Sequence, residues 1–307
     1  MSKAGLSTRG GLPVAKREIV AFALLAAFMV GNVHLLRVVD ASMADALITE
    51  DGFFEILGAV CLVFGAVFAF ATLLRLRSSP DTGRIRQLCF LGIVLILVLA
   101  AGEELSWGQR LLGYETPSPI AEVNVQKEFN IHNLYGDATG ANVSELLYKA
   151  FWVSFGVVVP LLALMPRVGA LIRRHLPVVP VWLALLFVGQ QLLWQPVRAE
   201  WRADPGAWNA TYRGYIGGEP FRVETPADAT KHGVSVPSGL GEVMEANIQV
   251  LIMVGTLCLL LGARRHRDAP PVSAAAAAAT GSGPGRTPGS SSASSRSSLS
   301  NGHRCPG

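Results

Sequence analysis

A chain of 307 residues that is 50% hydrophobic and only 16% charged departs from soluble domains, in which about 25% of residues are charged. Its apolar blocks and a mean hydropathy of +0.39 exclude an ordinary water-soluble core and indicate a polytopic membrane protein. A net charge of +4, with no basic face interleaved by aromatics, argues against a nucleic-acid partner.

Residues 1–18 are polar and basic (Lys3, Arg9, Lys16, Arg17) and form a short N-terminal segment. The apolar run Ile19–Leu36 continues through Asn32 and His34 without a cleavage site before Asp40, and reads as an uncleaved first helix. Five more spans are expected at Phe53–Leu74, Leu88–Gly102, Leu146–Met165, Val178–Val197 and Val243–Gly262, each near the ~20 residues that cross a bilayer. The third reaches full length only if its helix continues through Glu103, Glu104 and Trp107. The expected fold is therefore all-α: a six-helix membrane domain over 19–262, with two long extracytoplasmic loops at 103–145 and 198–242.

Lysine and arginine set the orientation. They gather before the first span, in 75–87 (Arg75, Arg77, Arg84, Arg86), in 166–177 (Arg167, Arg173, Arg174) and after the last span (Arg264, Arg265, Arg267). In a six-span chain these regions share one side, which the positive-inside rule makes cytoplasmic, with both termini there. The tail, 263–307, is rich in Pro, Ala, Gly and Ser, has little to bury and is expected to be disordered. In the second long loop, Gly217-Gly218 between aromatic and β-branched flanks reads as a hairpin. Cys61, Cys89, Cys258 and Cys305 form no CxxC pair, so neither a disulfide framework nor a cysteine zinc site is expected.

Polar residues concentrate toward the outer helix ends: Asn32 and His34, Asp51 and Glu55, Glu103 and Glu104, Gln190 to Arg198, and Glu242 to Gln249. Ionisable groups cost about 2.5–3.5 kcal/mol at a helix centre and tend to face a protein interior or a wet cavity. Some have ordinary explanations. Asp51, Glu55 and Glu242 suit first turns, where the helix dipole favours carboxylates. Trp107 and Trp194 suit an aromatic belt, Arg198 and Arg202 suit interface anchors, and His34 suits a packed core position.

Glu103 and Glu104 are harder to place. At a helix C-terminus the dipole disfavours them, and adjacent carboxylates repel. Arg110, on the same helix face as Glu103 and Trp107 if the helix continues, would supply an internal ion pair. The next loop alternates polar residues, Asn124, Gln126, Glu128, Asn130 and His132, with apolar ones. A strand would put all five on one face, whereas a helix would align Asn124, Glu128 and His132. Either places a carboxylate beside the imidazole, which fixes its tautomer and raises its basicity.

The segments EDGFFE (50–55), GEELSWGQR (102–110), NVQKEFNIHN (124–133) and EVMEAN (242–247) together resemble an uncharacterised group of bacterial multi-pass inner-membrane proteins. That resemblance implies an inner-membrane setting and no particular reaction. The glutamate pair also resembles that of the CAAX-protease-like intramembrane family. Gly108 stands where that family has arginine, and its two helix histidine motifs are missing, so that reading is not adopted.

Two function classes follow. In the first, Glu103, Glu104 and His132 carry catalysis on a lipid or lipid-linked head group, and Glu103, Glu128, His132 and Glu245 hold a divalent cation. Trp107, Gln109, Arg110, Asn124, Gln126 and Asn130 contact substrate. Carboxylates with one histidine suit Mg, Mn or Ca better than zinc. In the second, the polar cluster binds a small ligand or holds the bundle together in a non-enzymatic transport or assembly component. Membrane lipid is the expected partner in either case, and the sequence names no protein partner.

Overall fold

The computed structural model describes residues 16–48, 52–78, 83–122, 124, 129–130, 143–203, 212–216, 219–223 and 238–268. The chain falls into two units, Met1–His266 and Arg267–Gly307, and the architecture below is that of the first.

The helices in order are α1 (Lys16–Val38), α2 (Ala41–Ile48), α3 (Phe53–Arg77) and α4 (Arg84–Glu104), followed by short turns α5 (Gln109–Leu112) and α6 (Ser118–Ala121). After α7 (Val143–Val153) come α8 (Val159–Leu162), α9 (Gly169–His175), α10 (Val181–Ala203) and the long α11 (Ser238–Asp268). Among the described residues, four stretches are long and apolar enough to cross a membrane: Lys16–Val38, Ser42–Arg77, Arg84–Glu104 and Leu240–Ala263. The described fold is all-α apart from one short hairpin. Strands β1 (Tyr212–Ile216) and β2 (Glu219–Val223) pair antiparallel with Tyr212 opposite Val223 and Ile216 opposite Glu219, on the two sides of Gly217-Gly218.

The expected span at 146–165 is interrupted. A π-helical segment, Ser154–Val158, separates α7 from α8, two residues before Pro160. Proline has no N–H to return to the preceding turn, and a π-bulge absorbs that defect. The bulge also seats Gly156 on the Phe187 ring of α10, where a Cβ would be 2.5 Å from a ring carbon. Trp152, one turn earlier, stacks on the same ring with centroids 6.0 Å apart. In α10, the glutamines Gln190, Gln191 and Gln195 break up an otherwise apolar run, and that helix is not among the four.

Within hydrocarbon, helices associate through close packing and hydrogen bonds rather than through hydrophobic exclusion. The packing here divides into two clusters. One joins α3, α4, α7, α10 and α11 around Leu62, Phe90, Leu97, Phe155, Phe187 and Leu251. The other, around Leu36, Phe54, Trp194, Leu240 and Val243, lies toward the opposite helix ends. Leu24, Leu88, Leu99 and Leu192 are more than half exposed and form the apolar exterior a bilayer requires. At one end, Arg75 donates to the Leu260 carbonyl at 3.1 Å and Arg86 to the Arg173 carbonyl at 3.3 Å. Arg173 lies in the last turn of α9, a helix C-terminus where a cation is favoured.

Three placements differ from expectation. Trp194 is 2% exposed, a core residue and not a belt residue. His34 is exposed and not packed in the core. Glu242 lies beyond the first turn of α11, because that helix already starts at Ser238.

Candidate functional site

α4 does extend through Glu103 and Glu104, as a full-length span requires, but it stops there. The Leu105 N–H still reaches the Ala101 carbonyl at 3.2 Å. The next two residues then take left-handed backbone, Ser106 with φ 44° and Trp107 with φ 54°. Non-glycine residues adopt this region at a cost of about 1–2 kcal/mol each. The reversal folds the Trp107 ring back onto Gly102, where a Cβ would stand 2.9 Å from ring carbons. Trp107 is therefore not in the helix, and the expected face shared by Glu103, Trp107 and Arg110 does not exist. The Arg110 side chain lies outside the described residues.

The reversal gives each glutamate a different environment. Successive helix residues point about 100° apart, so the pair diverges. Trp107 Nε1 donates to Glu103 Oε1 at 2.8 Å. Gln249 Nε2, from α11, donates to Glu104 Oε1 at 2.7 Å. Hydrogen bonds to charged acceptors stabilise by about 1.5–3 kcal/mol, which offsets the unfavourable dipole at this end of α4.

Glu104 leads into the part of the molecule with most chemistry. Gln249 is 1% exposed, and its carboxamide fills the space over Gly58 of α3, where a Cβ would overlap Oε1. From α7, the Tyr148 hydroxyl comes within electrostatic reach of Glu245 and Glu104 and approaches Gln249. The hydroxyl oxygen is buried. Four helices thus converge, α3 through Gly58, α4 through Glu104, α7 through Tyr148 and α11 through Glu245 and Gln249.

A second polar set crosses the bundle at nearly the same level. Asn32 Nδ2 of α1 donates to Asn247 Oδ1 at 2.8 Å, and Asn247 Nδ2 donates to Gln190 Oε1 at 3.2 Å. All three side chains are buried. Farther along α1 and α10, Arg37 and Glu200 form an ion pair.

The loop after α4 is braced by its own amides. Gln109 Nε2 donates to Thr116 Oγ1 at 2.7 Å, while its Oε1 accepts from the Phe129 N–H at 2.7 Å. Tyr114 donates to the Trp107 carbonyl at 3.2 Å. Asn124 Nδ2 reaches both the carbonyl (2.9 Å) and the Oδ1 (2.8 Å) of Asn130, whose Nδ2 donates to Ser106 Oγ at 3.3 Å. Residues six apart would be about 20 Å apart in a strand and about 9 Å in a helix. Asn124 and Asn130 are therefore closer than either spacing places two residues six apart. Gln109, Asn124 and Asn130 direct their amides into this brace.

Gln126, Glu128 and His132 lie outside the described residues. Among the described residues, no three His, Cys, Asp or Glu side chains come together as a metal site would need. Sequence reasoning did not single out Tyr148, Gly58 or Ser106. The signal for Tyr148 was a lone hydroxyl-bearing aromatic in the apolar stretch LLYKAFW, one turn before Trp152. Ser106 and Gly58 had none, because each matters through a backbone position that tertiary packing decides. Comparison of the whole chain with protein-family models, with curated proteins and with solved structures finds no match.

Proposed function

We propose that this chain is a six-span protein of the bacterial inner membrane, with both termini cytoplasmic. Its outer half would carry a carboxylate-centred site that hydrolyses or transfers a lipid or lipid-linked head group. The observation that carries the reading is the buried Tyr148 hydroxyl, beside Gln249 and within reach of two carboxylates, Glu104 and Glu245. A divalent cation would sit between two carboxylates on neighbouring helices, and a substrate hydroxyl or phosphate oxygen would meet the phenol. Such a cation supplies Lewis acidity and an activated water.

Glu104 takes the central position, and Glu103, held by Trp107, orients the end of α4. Glu128 and His132 are each two residues from Asn130, a reach of about 7 Å along the chain, and Asn130 is tied to Ser106 beside Glu104. They remain the proposed ligands that complete the set. Orientation rests on the basic loops, and the contacts of Arg75 and Arg86 agree with basic segments gathering at one end.

The test is elemental analysis of full-length protein in nanodiscs, with head-group release measured from defined phospholipids. Wild type should carry a stoichiometric divalent cation that Glu104→Gln and Glu245→Gln each reduce to background. Metal-free wild type, or variants with unchanged metal, would overturn the metal reading. A second reading is favoured by the Asn32–Asn247–Gln190 chain, which links three helices: a non-enzymatic component whose polar groups hold the bundle together. It predicts loss of folded protein, with no cation and no turnover, in the same experiment.

A further inference from the structure

The corner between α8 and α9 is a braced chain reversal that leaves two cations facing outward. Helical bonding runs past the end of α8, where the Met165 N–H reaches the Leu162 carbonyl at 3.1 Å, and resumes where the Gly169 N–H reaches the Met165 carbonyl at 2.8 Å. At Gly169 the chain passes so close to the Ala163 carbonyl that a Cβ would collide with it. Arg173 donates to that same carbonyl, and Arg86 of α4 donates to the Arg173 carbonyl at 3.3 Å. Arg167 and Arg174 are exposed and take no part in this bracing.

Two features of the corner point to what it meets. The first is apolar. Val158, Leu161, Leu162 and Met165, at i, i+3, i+4 and i+7, are 37–48% exposed and form one stripe along the helix. In a chain built of membrane-length apolar helices, such a stripe faces hydrocarbon. It runs out at Pro166 and Arg167. Past the reversal, Leu171 is 56% exposed and shares a helix face with Arg174, three residues on. The cations therefore begin where the apolar surface ends. The second feature is charge. No Asp or Glu occurs from Leu146 to Ala199, whereas Arg167, Arg173 and Arg174 lie close together in that stretch. Arginines at the end of a lipid-facing stripe sit at the depth of the phosphates, where anionic lipid attracts them. Phospholipid answers both features at once, with an acyl chain along the stripe and a head group at its end. A soluble anion would use only the second.

We infer that the α8–α9 corner is a docking surface for anionic phospholipid, with acyl chains along the Val158–Met165 stripe and head groups at Arg167 and Arg174. Arg86 and Arg173 act as positioning groups, holding the reversal that puts the two exposed arginines at the end of the stripe. The inference uses the membrane character of the chain alone. It depends neither on which face is cytoplasmic nor on any reaction near Glu104, which lies at the other end of α4 from Arg86.

Native mass spectrometry of the full-length protein, released from detergent that holds phosphatidylglycerol and phosphatidylcholine in equal amounts, tests this. The two lipids share acyl chains and a phosphate and differ in net charge. An arginine near an anionic surface favours it roughly fivefold, so wild type should retain phosphatidylglycerol at least about threefold over phosphatidylcholine. Arg167→Gln and Arg174→Gln together should bring the ratio close to parity. Both side chains are exposed and lie outside the bracing contacts, so the double variant should unfold at the wild-type temperature. Arg77→Gln, which removes an exposed cation at the same end of the bundle on α3, is the control and should lower the ratio less than Arg174→Gln does. Equal retention of the two lipids by wild type, an unchanged ratio in the folded double variant, or a loss in Arg77→Gln equal to that in Arg174→Gln would overturn the surface. Displacement of the lipid by millimolar glycerol phosphate would overturn it as well, because a site that takes the free anion makes no use of the stripe.

Discussion

Gly58→Ala is the most incisive perturbation of the α3–α4–α11 junction. In an unobstructed helix, alanine in place of glycine stabilises by about 1 kcal/mol. At Gly58 the new Cβ would overlap Gln249 Oε1, and the carboxamide has little room to move because it is buried and donates to Glu104. Overpacking costs about 1–3 kcal/mol, and losing a hydrogen bond to a carboxylate about 1.5–3 kcal/mol. After the helix gain is subtracted, the net loss is about 1.5–5 kcal/mol. For a domain of this size each kcal/mol moves the midpoint by about 2–4 °C. Thermal unfolding in detergent, followed by intrinsic fluorescence, reads this directly. Gly92→Ala, where nothing lies within 4 Å of the new Cβ, is the control and should be neutral or stabilising. Gln249→Ala removes the obstructing group, so the double variant should be no less stable than Gln249→Ala alone, a coupling of at least ~1 kcal/mol. Tolerance of Gly58→Ala equal to that of Gly92→Ala, or simple additivity in the double variant, would refute the packing argument and the proximity of α3 to Glu104 with it.

Other expectations follow from the same geometry. Asn247→Leu strands both Asn32 and Gln190, and at about 0.6–1.7 kcal/mol per intramembrane hydrogen bond should cost about 1–3 kcal/mol; replacing Asn32 and Asn247 by Leu and Gln190 by Met together should cost less by the same unfolding assay, because no polar group is orphaned. Trp107→Phe should lower stability by about 1 kcal/mol through loss of the bond to Glu103, less than for a buried bond to a carboxylate because this one is exposed, whereas Glu103→Gln, which can still accept that bond, should cost less. Asp40 accepts from Ser42 Oγ at 2.7 Å and from the Met43 N–H at 2.9 Å, and these bonds hold its carboxyl below the ordinary 3.8. A lowered folded pKa means the cap on α2 is fully present above 3.8 and fades as pH falls through the folded value, so the protection of the Met43 amide relative to its intrinsic exchange rate should fall in acid in wild type and stay constant with pH in Asp40→Asn. A topology reporter fused after Ser78 should read cytoplasmic and one after Gly140 periplasmic; the reverse would invert every assignment of inner and outer face.

The sequence made the membrane character plain because hydropathy integrates over ~20 residues and needs no tertiary information. The four long apolar stretches agree with it. What a window cannot register is a defect compensated from another helix. The π-bulge before Pro160 seats Gly156 against Phe187 of α10, and neither residue announces the other. Trp194 shows the same limit. A tryptophan near a span end is ordinarily a belt residue, but here Val243 and Leu240 of α11 cover it, and only the packing of distant helices could reveal that.

The site was legible to the extent that charge placement is a property of the sequence. A glutamate pair at the end of an apolar run had to be compensated, and it is. The identity of the compensating groups was not legible. A helix face shared by Glu103 and Arg110 presupposed that the helical periodicity continued. Two consecutive left-handed residues, Ser106 and Trp107, end that periodicity, and both are residue types for which such backbone is unfavourable. The strain is retained because it produces two things together. It swings the Trp107 indole back onto Glu103, and it presents Ser106 to Asn130. With Glu103 satisfied locally, Glu104 points to α11, one helical step away, where Gln249 receives it. The adjacency that looked like a shared carboxylate site is better understood as two separate ones. One glutamate secures the turn that closes α4, and the other is directed into the bundle toward Tyr148 and Glu245.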